Sequence, residues 1–177
     1  EFIQEQHVKI STERQLEDPL AVNFNGRAAE LRQTDFTFDI DMDGREEQIA
    51  FTRPGSGFLA LDKNEDGLIT DGSELFGPET GNGFAELARY DQDGNNWIDG
   101  NDDIFHKLRI WMINESGEHQ LLSLGEKGIG AIYLNHIDTP FSLKNSENQL
   151  LGQIQETGIF LKEDGTAGTI QQVDLAV

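Results

Sequence analysis

The chain has 177 residues, room for one domain with a sizeable core or two small ones, and sets 33 Asp and Glu against 13 Lys and Arg for a formal net charge of −20. No basic block is present to neutralise phosphates, so nucleic acid and anionic membrane surfaces are poor partners, and without Cys there is no disulfide, thiolate metal site or Cys nucleophile. No apolar run reaches membrane-spanning length, no signal peptide is visible, and a start at Glu1 rather than Met reads as a fragment of a longer protein.

Residues 1–60 alternate as strands do. "HVKIST" (7–12) and "PLAVNFNG" (19–26) are short β-like runs, and "TDFTFDIDMDGREEQIAFT" (34–52) is two alternating runs around a turn, a hairpin pattern. "GFLAL" (57–61) adds another apolar run. The texture then changes. In "GFAELARYD" (83–91), Phe84, Leu87 and Ala88 fall at helical spacing, and "NDDIFHKLRIWM" (101–112) sets Ile104, Leu108 and Ile110 on one side of a second expected helix. "LLSLGEK" reads as a short helix, and "GAIYLN", "PFSLKN", "LLGQIQETGIFL" and "TIQQVDLAV" read as strands. The expected fold class is α+β: mostly antiparallel β-sheet with a small EF-hand-like helical insert. One domain is expected over 1–177, with β parts at 1–60 and 114–177 and the insert at 61–113.

Three acidic stretches share one spacing. In "DKNEDGLITDGSE", Asp62, Asn64 and Asp66 stand at loop positions 1, 3 and 5, Gly67 at 6, the Leu68 carbonyl at 7 and Ile69 at 8. Alternate residues of a tight loop turn their oxygens inward, so these three converge on one cation, as in an EF-hand loop. Position 12 is Ser73, and the acid that closes an EF-hand comes one residue late, as Glu74. In "DQDGNNWIDGND", Asp91, Asp93 and Asn95 hold positions 1, 3 and 5, with the Trp97 carbonyl at 7, Ile98 at 8, Asp99 at 9 and Asp102 at 12. Asn96 stands where Gly is usual and tolerates the left-handed region better than most residues. The two isoleucines suggest that these loops pair as EF-hands do. Upstream, Asp39, Asp41 and Asp43 are followed by Gly44, the Arg45 carbonyl and Glu47, a pattern found in hairpin calcium loops. "NFNGRAAE" echoes the spacing without the charge. Asp, Asn and Gly also favour plain solvated turns, but three loops with matching hydrophobic framing outweigh that reading. Hard oxygen donors select Ca²⁺, with Mg²⁺ the nearest competitor. Two to three calcium ions are expected.

These loops, in "FLALDKNEDGLITDGSELFG" and "GFAELARYDQDGNNWIDGNDDIFHKLRIW", resemble the EF-hand-bearing segment of large bacterial repeats-in-toxin (RTX) proteins. They are similar to the calcium-dependent self-processing module of iron-regulated RTX proteins. The resemblance spans residues 18–113. In that family the segment follows a "DPL" tripeptide, here Asp18-Pro19-Leu20, whose Asp–Pro bond is cut, leaving an activated Asp that can join a lysine amine. The family's acidic run after the proline is reduced here to Asn23 and Asn25. The resemblance implies a bacterial, secreted or surface protein.

The first expectation is therefore a calcium-ordered domain that stays intact. Calcium-triggered self-cleavage at Asp18–Pro19 is the alternative, and a calcium sensor or adaptor the second. The sensor is disfavoured by only two Met and by Gly77-Pro78, which stops the first exit helix. His7, His106, His119 and His136 show no metal spacing, and no nucleophile-elbow motif occurs. No protein partner can be named.

Overall fold

The computed structural model describes residues 16–177; His7 and the strand expected at 7–12 lie outside them. Thirteen strands are present among the described residues: β1 (Leu16–Glu17), β2 (Leu20–Asn23), β3 (Leu31–Arg32), β4 (Thr37–Phe38), β5 (Glu47–Gln48), β6 (Phe51–Thr52), β7 (Ser56–Leu61), β8 (Trp97–Asp99), β9 (Leu108–Ile113), β10 (His119–Ser123), β11 (Ile129–Lys144), β12 (Leu150–Lys162) and β13 (Ala167–Ala176). Nine form one antiparallel sheet in the order β10-β9-β7-β2-β13-β12-β11-β8, with β1 also on β13. Two small pairs, β3–β6 and β4–β5, stand apart.

Alternation along the strands fills two cores, one on each face. Leu108, Ile110 and Met112 of β9 join Leu20 and Val22 of β2 in one. Trp111 and Ile113 join Ala21, Val173 and Leu175 in the other. The second core also takes the β4–β5 hairpin, whose Phe36 and Phe38 rings stand 5.7 and 5.0 Å from Trp111, with Phe51 at 4.9 Å. These ring contacts fasten the hairpin, and the acidic loop at its tip, onto the sheet.

The expected helical insert is not there. The one α-helix among the described residues, α1 (Gly83–Ala88), has six residues, and the rest of the helical content is three 3-10 turns at 72–74, 103–106 and 125–127. The helix expected over 101–112 is a 3-10 turn running into β9, which sits inside the main sheet between β7 and β10. Ile104, Leu108 and Ile110 fit a helical face, but Leu108–Ile113 is apolar at five of six positions, with β-branched and aromatic side chains. A strand buried on both faces accommodates such a run, and periodicity alone does not separate it from a helix. The "LLSLGEK" segment is likewise β10 followed by a 3-10 turn. Among the described residues no helix is long and apolar enough to cross a membrane.

The EF-hand-style pairing is absent as well. Ile98 lies in β8 and pairs with Ile132 of β11, in one core, while Ile69 belongs to the other. The loop at 62–74 instead abuts the loop at 39–47, through a parallel bridge between Asp39 and Asp71 and a 2.9 Å bond from the Gly72 N–H to the Asp39 carbonyl.

Candidate metal loops and the Asp18–Pro19 cleft

The three acidic loops share one backbone. Each has positive φ at positions 4 and 6: Met42 and Gly44, Glu65 and Gly67, Gly94 and Asn96. In each, the position 1 carboxylate accepts the N–H of position 6, from Gly44 to Asp39 (3.0 Å), Gly67 to Asp62 (2.8 Å) and Asn96 to Asp91 (2.8 Å). The position 5 side chain accepts the N–H of position 7, at Asp43, Asp66 and Asn95. This curls the chain so that the odd-numbered side chains converge.

Convergence differs between the loops. Asp39, Asp41 and Asp43 present carboxylate oxygens within 4.8 Å of one another, and so do Asp91, Asp93 and Asp102. Glu47 reaches toward the first group: burial and the Asp41 charge raise its pKa, and its Oε2 is buried without a hydrogen-bond partner. Asp91 Oδ1 is buried and unpartnered in the same way. Orphaned carboxylate oxygens among hard-oxygen donors are what a bound Ca²⁺ would satisfy. Arg45 and Trp97 stand at position 7, where the carbonyl is offered, and Asp99 is half-buried at the end of the third loop.

Glu74 and Asp102 play a part the sequence did not disclose. Glu74, only 4% exposed, accepts the N–H of Lys63 and of Thr70, at loop positions 2 and 9, both at 2.9 Å. Asp102, fully buried, accepts the equivalent N–H groups of Gln92 and Asp99 at 2.8 and 3.0 Å. Each acid staples its loop shut through two backbone donors. Asp102 stays within reach of Asp91 and Asp93, whereas among the described residues Glu74 joins no convergent carboxylate group, leaving Asp62, Asn64, Asp66 and the Leu68 carbonyl as the candidate donors of the middle loop. The "NFNG" echo forms no loop of this kind: the Asn23 side chain is spent on Ser56, Thr169 and Gln171.

Between the second and third loops runs the segment 75–90, and it seats on Asp18–Pro19. The Phe76 carbonyl accepts the Leu20 N–H at 2.9 Å. Gly77, at φ +129°, lies against the Asp18 carbonyl so closely that a Cβ would stand 2.6 Å from its carbon. Glu86 of α1, itself buried, holds this segment by accepting the N–H groups of Gly77 (3.0 Å) and Thr80 (3.1 Å). Gln172 of β13 accepts the Gly83 N–H at 2.8 Å and donates to the Gly81 carbonyl at 3.1 Å.

The register explains where Asp18 points. Glu17 faces Leu175 and Leu20 faces Gln172, so β1 and β2 run along β13 in one unbroken register. Asp18 therefore falls opposite Asp174 and Pro19 opposite Val173. The Val173 N–H bonds the Pro19 carbonyl at 3.0 Å, but Pro19 has no N–H to return. That missing bond is why the strand divides in two. Asp18 and Asp174 then occupy the neighbouring, non-hydrogen-bonded type of pair, in which side chains approach more closely. Both line a cleft with Asp138, Gln155 and Glu156. Burial and the Asp174 charge push the Asp18 carboxyl from 3.8 to about 7. Glu17, 6% exposed on the opposite face, is likewise pushed to about 7 by burial and by Asp41, Glu47 and Asp174. Sequence reasoning missed Glu17, Asp174 and Glu156, because their role depends on strand pairing across more than a hundred residues. Of the histidines, His119 accepts a bond from the Trp111 indole at 3.1 Å and its pKa is lowered by burial. His136 pairs with Glu156 and stacks on Phe84.

Residues 20–176 match the SPM domain. The chain is also 30% identical over 175 residues to the iron-regulated protein FrpA of Neisseria meningitidis serogroup C, an alignment that covers 90% of this chain and 15% of that protein. The chain thus spans about a sixth of that relative's length. With a match running from β2 to the end of β13, the chain belongs to the SPM domain family.

Proposed function

We propose that this is a calcium-ordered module whose folding holds the Asp18–Pro19 peptide ready for self-cleavage. Calcium would be bound by Asp39, Asp41, Asp43, the Arg45 carbonyl and Glu47; by Asp62, Asn64, Asp66 and the Leu68 carbonyl; and by Asp91, Asp93, Asn95, the Trp97 carbonyl, Asp99 and Asp102. Bound there, the ion supplies charge neutralisation and fixes the loop backbone.

The observation that carries the reading is that the segment clamped on Asp18–Pro19 is bracketed by two of these loops. Ordering the loops at 62–74 and 91–102 fixes both ends of 75–90, and that segment sets the position of the Asp18 carbonyl. This geometry brings forward the self-cleavage reading, which sequence placed second. Only Cβ and Cα separate the Asp18 carboxyl from its own carbonyl carbon, so attack closes a five-membered cyclic anhydride and expels the Pro19 nitrogen. The tertiary amide nitrogen of proline leaves as a basic secondary amine once protonated.

Metal-stripped protein given millimolar calcium, followed by intact mass, tests the reading. A new fragment beginning at Pro19, absent in Asp18→Ala, is expected. Calcium uptake by titration calorimetry with an intact chain would reduce the function to calcium ordering alone. No uptake at millimolar calcium would remove both.

A further inference from the structure

We infer that Asp174 is a catalytic residue of this cleavage, a proton shuttle that takes the Asp18 carboxyl proton and delivers it to the Pro19 nitrogen. The inference rests on the self-cleavage reading and adds to it the residue that solves its proton problem.

The problem is one of two opposing demands. Asp18 attacks best as a carboxylate, yet the C–N bond breaks only if the departing nitrogen gains a proton. A lone Asp18 cannot be both base-form nucleophile and acid. The strand register supplies a second carboxyl beside it, in the closer type of cross-strand pair. Two carboxylates directly opposite repel. Burial and the facing Asp174 charge push the Asp18 carboxyl up to about 7, so at neutral pH the pair can hold a proton that a lone carboxylate would release. Asp174 is 4% exposed, so its carboxyl is largely withdrawn from bulk water. Its Oδ2 accepts a bond from the Gln155 side chain at 3.2 Å, which orients the carboxyl. Val173, next to Asp174, bonds the Pro19 carbonyl, so the acid and the leaving residue are registered by adjacent positions of one strand.

The step balances. As an Asp18 carboxyl oxygen bonds to the Asp18 carbonyl carbon, its proton passes to Asp174. The Asp18–Pro19 C–N bond then breaks, its electron pair goes to nitrogen, and Asp174 returns the same proton there. The products are the cyclic anhydride of Asp18 and the free secondary amine of Pro19, with Asp174 restored to its starting form. Water hydrolyses the anhydride afterwards. The other groups facing the pair are acids or amides: Glu17 and Glu156, whose charges act on Asp18, Asp138 across the cleft, and Gln172 and Gln155. His136 reaches the site only through Glu156.

The test is cleavage at saturating calcium in the full chain, as wild type, Asp174→Asn and Asp174→Glu, from pH 5 to 9. In wild type the rate should fall above about pH 7, as the pair loses its proton. Asp174→Asn should lower the rate by about 10²-fold or more, the scale of a general acid–base contribution, while calcium uptake is unchanged and the melting temperature is not lowered, since the substitution removes a repelling charge. Asp174→Glu should restore part of the rate. Asp174→Asn cleaving within threefold of wild type overturns the inference and leaves the self-cleavage reading standing. So does a loss of cleavage that tracks lost calcium uptake and a lowered melting temperature, which marks a structural role. A wild-type chain that stays intact at every pH overturns the reading and this inference with it.

Discussion

Gly77→Ala should disable the clamp on the Asp18–Pro19 peptide without touching an acidic loop. The added Cβ would overlap the Asp18 carbonyl oxygen and stand 2.6 Å from its carbon and 3.1 Å from the Pro19 Cα. Carbon atoms in contact sit about 3.5–4.0 Å apart, so the peptide must move by about 1 Å. The backbone adds strain, because φ is +129° and side-chain-bearing residues avoid that region. An outlier of this kind costs about 1–3 kcal/mol and overpacking about 1–3 kcal/mol more. At about 2–4 °C per kcal/mol for a chain of this size, the melting temperature should drop by roughly 5–20 °C. Cleavage should slow by about 10²-fold, the scale expected for a 1 Å misplacement of reacting groups. The assay is intact mass against time at millimolar calcium, at a temperature where the variant is folded, with thermal melting alongside. Gly26→Ala, which meets nothing within 4 Å, is the control. A Gly77→Ala protein that melts and cleaves like wild type would refute the close approach and the clamp.

Calcium should stabilise the fold by about 2.7 kcal/mol at a hundredfold excess over Kd, which corresponds to roughly 5–11 °C in melting temperature; scanning calorimetry with and without chelator measures it. Terbium emission sensitised through Trp97 should report the third loop and vanish in Asp91→Ala, since Trp97 lies in that loop and Asp91 is its first proposed metal ligand, whose carboxylate also accepts the Asn96 N–H. Stability of the metal-free protein should fall as pH rises from about 4 to above 7. Asp18 and Glu17 have folded-state pKa values raised from 3.8 and 4.5 to about 7, so across that window the folded state holds protons the unfolded chain has released. Urea melts at pH 5 and pH 8 should show the difference, and Glu17→Gln should reduce it.

Much of the site could be read from spacing, because a tight loop is a local object. Asp39 to Glu47, Asp62 to Leu68 and Asp91 to Asp99 each curl within their own residues, and D-x-[DN]-x-[DN] dictates that curl whatever surrounds it. The hairpin at β4–β5 was legible for the same reason, and so was α1, from the helical spacing of Phe84, Leu87 and Ala88. Local pattern failed where tertiary structure set the outcome. Ile104, Leu108 and Ile110 fit a helical face, but Leu108–Ile113 is needed as an inner strand buried on both sides. Glu74 and Asp102 sat at or near the EF-hand closing position, yet their carboxylates bind backbone donors at positions 2 and 9. Asp174 looked like any acid near a terminus, and only the register of β13 against β1 and β2 places it opposite Asp18.

If the bond is cut as proposed, the division of one strand into β1 and β2 would govern the fate of the two pieces. Leu20–Asn23 stays wedged between β7 and β13 in mid-sheet, so the new amino terminus at Pro19 is moored. On the other side of the bond, the described residues offer only the two-residue pairing of Leu16 and Glu17 with Ala176 and Leu175. At about 1 kcal/mol net per ladder hydrogen bond, such a strip falls short of the roughly 4 kcal/mol that millimolar affinity requires. On these contacts alone the strip Leu16–Glu17 would peel from β13, while β2 stays in the sheet. A strand end held so lightly would not keep the severed ends of the proposed cut together, and rejoining there would be disfavoured.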